Sequence, residues 1–397
     1  GTARLPDGKL MVMGGTDSGK VSVYDPATDA WSTSPPMTLG RGYQSGVALS
    51  NGNVFTIGGS WGGGIGGKVG EVWSPGSGWR QLSGVPVNPI LTADPQGMFR
   101  QDNHTWLYAI SDQRVFHAGP SKQMNIIDTK GNGSVTPAGN RADDDHAMNG
   151  QAVMYDVGKI LTAGGSPAYD SGTGSKKAYV IDVNATPTAR RVADLAFGRS
   201  FHHGIALPDG KVIMLGGTPA VHLFSDMAAV MQPELWDPAT ETFTTLAPMS
   251  VARTYHSVAM LLPDGRIFAG GGGLCGNCPV NHSDAQIFSP PYLYNADSTP
   301  AARPSITAAP NVVGYGSTPS VTTDKAVASW SLVRMGADTH GINTDQRRIP
   351  VTGTLASGTT YNLAIPNDSG TLPPGYYMLF AMDANGVPSI AKTVKVG

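Results

Sequence analysis

Leu10-Met11-Val12-Met13-Gly14-Gly15 decides the fold, because the same phrase returns along the chain. An apolar run closed by a glycine pair recurs as Val54-Phe55-Thr56-Ile57-Gly58-Gly59, Ile160-Leu161-Thr162-Ala163-Gly164-Gly165, Val212-Ile213-Met214-Leu215-Gly216-Gly217 and Ile267-Phe268-Ala269-Gly270-Gly271, with a degenerate copy at Val115-Phe116-His117-Ala118-Gly119. Recurrence every few tens of residues marks one supersecondary unit copied many times, each too small to bury its apolar face alone. Glycine pairs let strands crowd at the narrow inner edge of a blade, where a Cβ would clash.

After most copies a second strand closes in a turn and an aromatic residue, as in Val23-Tyr24-Asp25-Pro26-Ala27-Thr28-Asp29-Ala30-Trp31 and Leu235-Trp236-Asp237-Pro238-Ala239-Thr240-Glu241-Thr242-Phe243. Leu-Pro-Asp-Gly at 5–8, 207–210 and 262–265 supplies hairpin-turn chemistry before several of the glycine pairs. This is the kelch pattern, and it predicts an all-β chain with a β-propeller over residues 1–294. The first copy starts almost at residue 1, so the expectation is a seven-bladed propeller whose first blade is incomplete. The period stops after Tyr292, a Pro/Ala/Ser-rich linker runs from Asn295 to Pro304, and short alternating strands follow. Residues 304–397 are expected to form an immunoglobulin-like β-sandwich.

Composition agrees: 52 Gly and 30 Pro among 397 residues are a load that long helices do not tolerate. Charged residues make up 14% and the net charge is −2, so no basic stripe exists to neutralise phosphates and nucleic acid is not an expected partner. No run nears the roughly 18 apolar residues of a membrane span, so no membrane partner is expected either. Gly1-Thr2-Ala3-Arg4-Leu5 lacks the charged-then-apolar pattern of a leader, and the chain is expected to start within a longer protein. Asn103, Asn132, Asn184, Asn281 and Asn367 each open a glycosylation acceptor triplet, which has meaning only in a secreted chain. Cys275 and Cys278, in a glycine-rich turn, read as a structural disulfide or as two free thiols; a metal site would need two more soft ligands.

Metal chemistry needs nitrogen or oxygen donors converging from distant segments, and nine His and thirteen Tyr are available. His117, His222 and His282 sit in ordinary strand or loop contexts, while His202 and His203 are neighbours that a strand points to opposite faces. His104 could stand behind a ligand. Two places differ. Arg253-Thr254-Tyr255-His256 opens a repeat where the inner ends of the blades meet the axis, and His340 lies in a polar loop, Thr339 to Arg348, with no evident packing role.

Arg41-Gly42-Tyr43-Gln44-Ser45, Gly58-Gly59-Ser60-Trp61, Leu91-Thr92-Ala93-Asp94, Tyr255-His256-Ser257, Gly271 through Gly276 and His340 through Arg348 together resemble the galactose oxidase family of copper-radical oxidases, in order and over essentially the whole chain. The resemblance implies one copper bound by Tyr43, Tyr255, His256 and His340, a donor set that suits tetragonal Cu(II). It implies that Tyr43 carries a radical that removes a hydrogen atom from a primary alcohol, that Tyr255 takes the alcohol proton, and that Trp61 stacks over the radical centre. Copper would act as Lewis acid, and dioxygen would leave as hydrogen peroxide. Arg100, Phe201, Phe224 and Tyr169 match the family's sugar pocket. Asp170 stands where the family has glutamine and Phe99 where it has tyrosine, so galactose, galactose-terminated sugars and other primary alcohols all stay open. In the family the redox tyrosine is crosslinked to a cysteine, and here that cysteine is expected just upstream of Gly1, since neither Cys275 nor Cys278 is in its place. A secreted, extracellular monomer is the corresponding expectation.

A kelch propeller that only binds glycan or protein is the alternative, since fold alone does not give function. It leaves Tyr255-His256 and the His340 loop without a purpose. A propeller glycosidase would need a spaced carboxylate pair on the axis; the one dense acidic run, Asp143-Asp144-Asp145, reads as a solvated loop or a weak cation site.

Overall fold

The computed structural model describes residues 1–397 as six small antiparallel sheets followed by one large sheet. Each glycine-pair run is the second strand of a small sheet, from Leu10–Met13 in the first to Ile267–Gly271 in the sixth. Why glycine is needed is visible between sheets. A Cβ on Gly14 would stand 2.3 Å from the carbonyl oxygen of Arg41, and one on Gly216 2.3 Å from that of Arg253. The following glycines donate to the same carbonyls, Gly15 to Arg41 at 3.0 Å and Gly217 to Arg253 at 2.7 Å. Neighbouring sheets are stitched together in this way, and Tyr43 and Tyr255 stand two residues beyond the stitching arginines. The aromatic that closes the repeat packs between sheets: Trp236, fully buried, lies edge-on to Tyr155 of the preceding sheet at 4.8 Å.

The blade count differs from expectation. Six propeller sheets form, and the first is complete, with strands Thr2–Arg4, Leu10–Met13, Val21–Asp25 and Ala30–Ser34. The first residues already supply a strand, because Thr2 and Ala3 pair with Val12 and Met11. The three-stranded sheet is the sixth, made of Ser257–Leu261, Ile267–Gly271 and Ala285–Phe288.

The C-terminal unit is a single eight-stranded sheet curled on itself rather than two separate sheets. Its ten-residue strand Arg348–Ser357 pairs at one end with Ser329–Arg334 and at the other with Thr360–Ala364, so one strand belongs to both walls. Between the walls lies a core containing Trp330, Leu332, Tyr361, Tyr377 and Leu379.

The polar loop has a packing role that its composition did not reveal. Asp345 accepts from the Arg4 amide at 2.6 Å and Thr344 donates to the Gly46 carbonyl. Arg347 donates to Ala109 at 3.1 Å and bridges Met154, Gln346 accepts from the Ala206 amide at 2.9 Å, and Asp338 from the Ala259 amide at 2.8 Å. The loop thereby bonds to all six propeller sheets and plugs their hub. No helix is long and apolar enough to cross a membrane.

Candidate active site at the propeller hub

One position of the repeat supplies much of the hub. Ser45 pairs with Ile57, Gln151 with Ala163, His203 with Leu215 and Val258 with Gly270, each partner directly preceding a glycine of positive φ. Two residues before them stand Tyr43, Asn149, Phe201 and His256, with φ of 65°, 56°, 60° and 68°. His104, Phe224 and His340 also have positive φ, at 54° each. These seven are nearly half of the fifteen non-glycine residues in that region. Each costs about 1–3 kcal/mol, and such strain gathers where function holds it.

Phenols and imidazoles from distant segments converge there. The Tyr255 hydroxyl donates to the Tyr43 oxygen at 2.8 Å and lies 3.1 Å from the Tyr169 hydroxyl, which in turn meets Nε2 of His104 at 2.8 Å. The His340 ring is 4.8 Å from Tyr43 and 4.7 Å from His256. Nδ1 of His256 donates to the Gly273 carbonyl at 2.6 Å, which leaves Nε2 as the lone-pair nitrogen. Nδ1 of His340 engages the Thr339 hydroxyl at 2.8 Å.

Around these groups, Trp61 lies flat on Tyr43 at 5.2 Å and 6°, while Phe201 and Phe224 meet Tyr255 edge-on at 5.3 and 5.2 Å. The Arg100 guanidinium is 4.1 Å from the Tyr169 ring and 4.6 Å from Trp61, and its Nη1 is buried without a partner. Asp170 accepts from the Leu223 amide at 2.7 Å and so fixes the segment that presents Phe224. Gly1, Tyr43, His104, Thr344 and His340 line a cavity of about 200 Å³. A larger one, about 540 Å³ beside Asp209 and Tyr292, contains none of the hub residues.

Burial pushes the Tyr255 phenol far up, with Tyr169 and Tyr43 beside it adding to the shift, and pushes Tyr169 up as well. Burial pulls His340 down to about 3, and the neighbouring His256 adds to this. His256 itself is lowered by burial against the opposing pull of the Gly273 carbonyl. At neutral pH the hub therefore presents uncharged imidazole lone pairs beside phenol oxygens, donors that a cation could use. No group of three His, Cys, Asp or Glu could hold a metal, so a cation here depends on the phenol oxygens.

The family profile described as galactose oxidase-like, early set domain, matches residues 303–396, that of the glyoxal oxidase N-terminus residues 158–285, and the kelch motif residues 2–38. A solved fungal alcohol oxidase of the AA5 family, in complex with copper, superposes with a TM-score of 0.96 at 43% identity, covering 100% of this chain and 84% of that one. The galactose oxidase of Gibberella zeae is 47% identical over 98% of this chain and 59% of its own length.

This chain belongs to the galactose oxidase family.

It spans about three fifths of the length of the Gibberella zeae galactose oxidase. The aldehyde oxidase GLOX of Vitis pseudoreticulata is 25% identical over 99% of this chain and 80% of that protein. Every residue that the galactose oxidase resemblance pointed to lies in or beside the hub; Asp170 acts on it through the Leu223 main chain. Cys275 and Cys278 form a disulfide with Cα atoms 5.6 Å apart, in the loop whose Gly273 holds His256. The acidic run is consumed by ion pairs, Asp144 with Arg141 at 3.0 Å, Asp145 with Lys122 at 3.3 Å and Asp143 with Arg191 at 3.6 Å. Asn103 is fully buried, so its acceptor triplet is closed to a glycan. Sequence reasoning gave no role to Asp338 or His203 and named Gly273 only within the stretch Gly271 through Gly276; the signal for Asp338 was its spacing, two residues before His340.

Proposed function

We propose that this chain is the catalytic portion of a secreted copper-radical oxidase that converts a primary alcohol to its aldehyde and reduces dioxygen to hydrogen peroxide. The observation that carries this reading is the meeting of two phenol oxygens 2.8 Å apart with two imidazoles 4.7 Å apart, from three remote stretches of sequence. Tyr43, Tyr255, His256 and His340 hold one copper, whose chemistry when bound is Lewis acidity toward the alcohol oxygen and one of the two redox equivalents. Tyr255, which would be a phenolate when it holds the metal, would receive the hydroxyl proton on its oxygen. Tyr43 carries the radical that removes one hydrogen atom from the alcohol carbon, and Trp61, stacked on it, excludes water from the ring face. Arg100 orients hydroxyl oxygens with its fixed fork of donors, while Phe201 and Phe224 close the apolar side. Asp170 adds charge near the mouth. Support for copper comes from the AA5 relative solved in complex with copper.

A thioether from a cysteine outside residues 1–397 to Tyr43 belongs to the same proposal. Both cysteines of the chain are tied to each other, and Gly1 lines the cavity beside Tyr43. Residues 1–294 then form the six-sheet propeller, and residues 304–397 an immunoglobulin-like unit that lends His340. The deciding experiment is peroxide release by copper-loaded full-length protein with galactose, raffinose, benzyl alcohol and glyoxal. Copper binding without peroxide from any of them would favour a non-catalytic binding propeller.

A further inference from the structure

Beside the hub, a run of side chains ties the His340 loop to the strand that follows His256. The Ser257 hydroxyl donates to the Thr254 carbonyl at 2.6 Å. Its lone pair then meets Nε2 of His203 at 2.7 Å, so Nε2 is the donor in that contact. The opposite edge of the imidazole packs against Asp338, with Nδ1 3.3 Å from Oδ2 but without a hydrogen bond between them; that oxygen accepts from the Ala259 amide at 2.8 Å. Both side chains are almost fully buried, and neither Oδ1 of Asp338 nor Nδ1 of His203 has a hydrogen-bond partner. A carboxylate so enclosed persists only where donors and a cationic or polar partner hold it. Gly341 presses the loop onto the same strand: a Cβ there would stand 2.9 Å from the His202 carbonyl oxygen and 3.7 Å from the His203 ring.

These three residue types also make nucleophilic triads. Here Ser257 is 1% exposed and its proton is committed to a main-chain carbonyl, so no nucleophile is presented. What remains is placement: Asp338 lies two residues before His340, and Ser257 directly follows His256.

We propose that Asp338, His203 and Ser257 form a clasp that sets the distance and angle between His256 and His340, making His203 and Asp338 positioning residues for a metal held by those imidazoles. The clasp rests on the reading of the hub given above. Asp338→Asn and His203→Gln are compared with the parent and with Ser331→Ala, which removes a different buried contact between the units, Ser331 to the Pro208 carbonyl at 2.9 Å. Melting of the metal-free protein, Cu(II) affinity by competition titration, and the electron paramagnetic resonance of bound Cu(II) are read for each. Asp338→Asn and His203→Gln are expected to weaken Cu(II) binding by about 10- to 100-fold and to alter the copper hyperfine splitting, with Ser331→Ala like the parent on both counts. Parental affinity and spectrum in a folded Asp338→Asn protein overturn the clasp, as does an equal loss in Ser331→Ala. Should both clasp variants fail to fold, Ser257→Ala decides the matter by the same two readouts. A parent that binds no Cu(II) would instead overturn the hub reading itself, and the clasp with it.

Discussion

His256 and His340 face each other across the hub, ring centroids 4.7 Å apart and planes at 86°, one at the entry to the sixth propeller sheet and the other on a loop of the C-terminal unit. Neither unit supplies both nitrogens, so metal binding reports on how the two are joined.

The first consequence concerns His340. Its Nδ1 is engaged by Thr339, and no other imidazole is placed to substitute for Nε2: His104 is committed to Tyr169. Loss of a residue that merely orients a ligand weakens metal binding by about 10- to 100-fold. His340→Ala removes the ligand and is expected to exceed that range, read by competition titration with a chelator. Unchanged Cu(II) affinity would show that the metal lies elsewhere.

Tyr255 carries a separable prediction. Its hydroxyl bonds both Tyr43 and Tyr169, while its ring is held by Phe201 and Phe224, so Tyr255→Phe deletes the oxygen and keeps the packing. Loss of a positioned proton acceptor typically costs about 100- to 10,000-fold in rate. Peroxide formation should fall by that factor in a variant that still folds, with a smaller effect on KM. Retained turnover would remove Tyr255 from proton transfer.

Much of this hub was legible because a repeat makes equivalent positions predictable. The glycine pairs gave the second strand of every sheet and Tyr255-His256 was placed where the blades meet the axis, while Tyr43, Trp61 and Phe201 were reached only through the family resemblance. What escaped depends on long-range closure. The fourfold strand count of the first sheet follows from Thr2–Arg4, three residues too short to stand out in any pattern. The loop 338–347 looked purposeless because its partners are main-chain atoms of six different sheets, and main-chain donors and acceptors are the same whatever the sequence. Asn103 likewise opens an acceptor triplet in the sequence, and only the fold shows it buried.

Trp61 tests shielding rather than ligation. It is 47% exposed, yet lies parallel to Tyr43 at 5.2 Å, an arrangement in which aromatic pairs contribute about 0.5–1.5 kcal/mol. Little of the global stability should depend on so exposed a ring. Trp61→Ala is expected to leave melting nearly unchanged while the oxidised form, with the radical proposed for Tyr43, decays up to about tenfold faster, the upper end of that stacking energy. Equal decay in parent and variant, followed by absorbance, would assign the shielding to another group.

A last prediction concerns acid stability and lies away from the hub chemistry. His117 sits fully buried in the third sheet with Nδ1 3.1 Å from the Asn125 amide, and burial pulls it down to about 3 from an ordinary value near 6.5, with Arg141 adding to the shift. Above pH 6.5 the imidazole is neutral in folded and unfolded chains alike, so it adds no pH dependence there. Between pH 6.5 and pH 3 the unfolded chain takes up a proton that the folded one refuses, and stability falls as the solution is acidified. One proton corresponds to about 1.4 kcal/mol per pH unit, or about 2 kcal/mol by pH 5. His117→Gln keeps an amide to pair with Asn125 and cannot take the proton. Its stability relative to the parent should therefore improve by about that amount between pH 7 and pH 5, measured by denaturant unfolding across the range. Other buried imidazoles such as His202 contribute equally to both proteins and cancel in the difference. A difference that stays constant with pH would mean that His117 is already able to accept a proton in the folded chain.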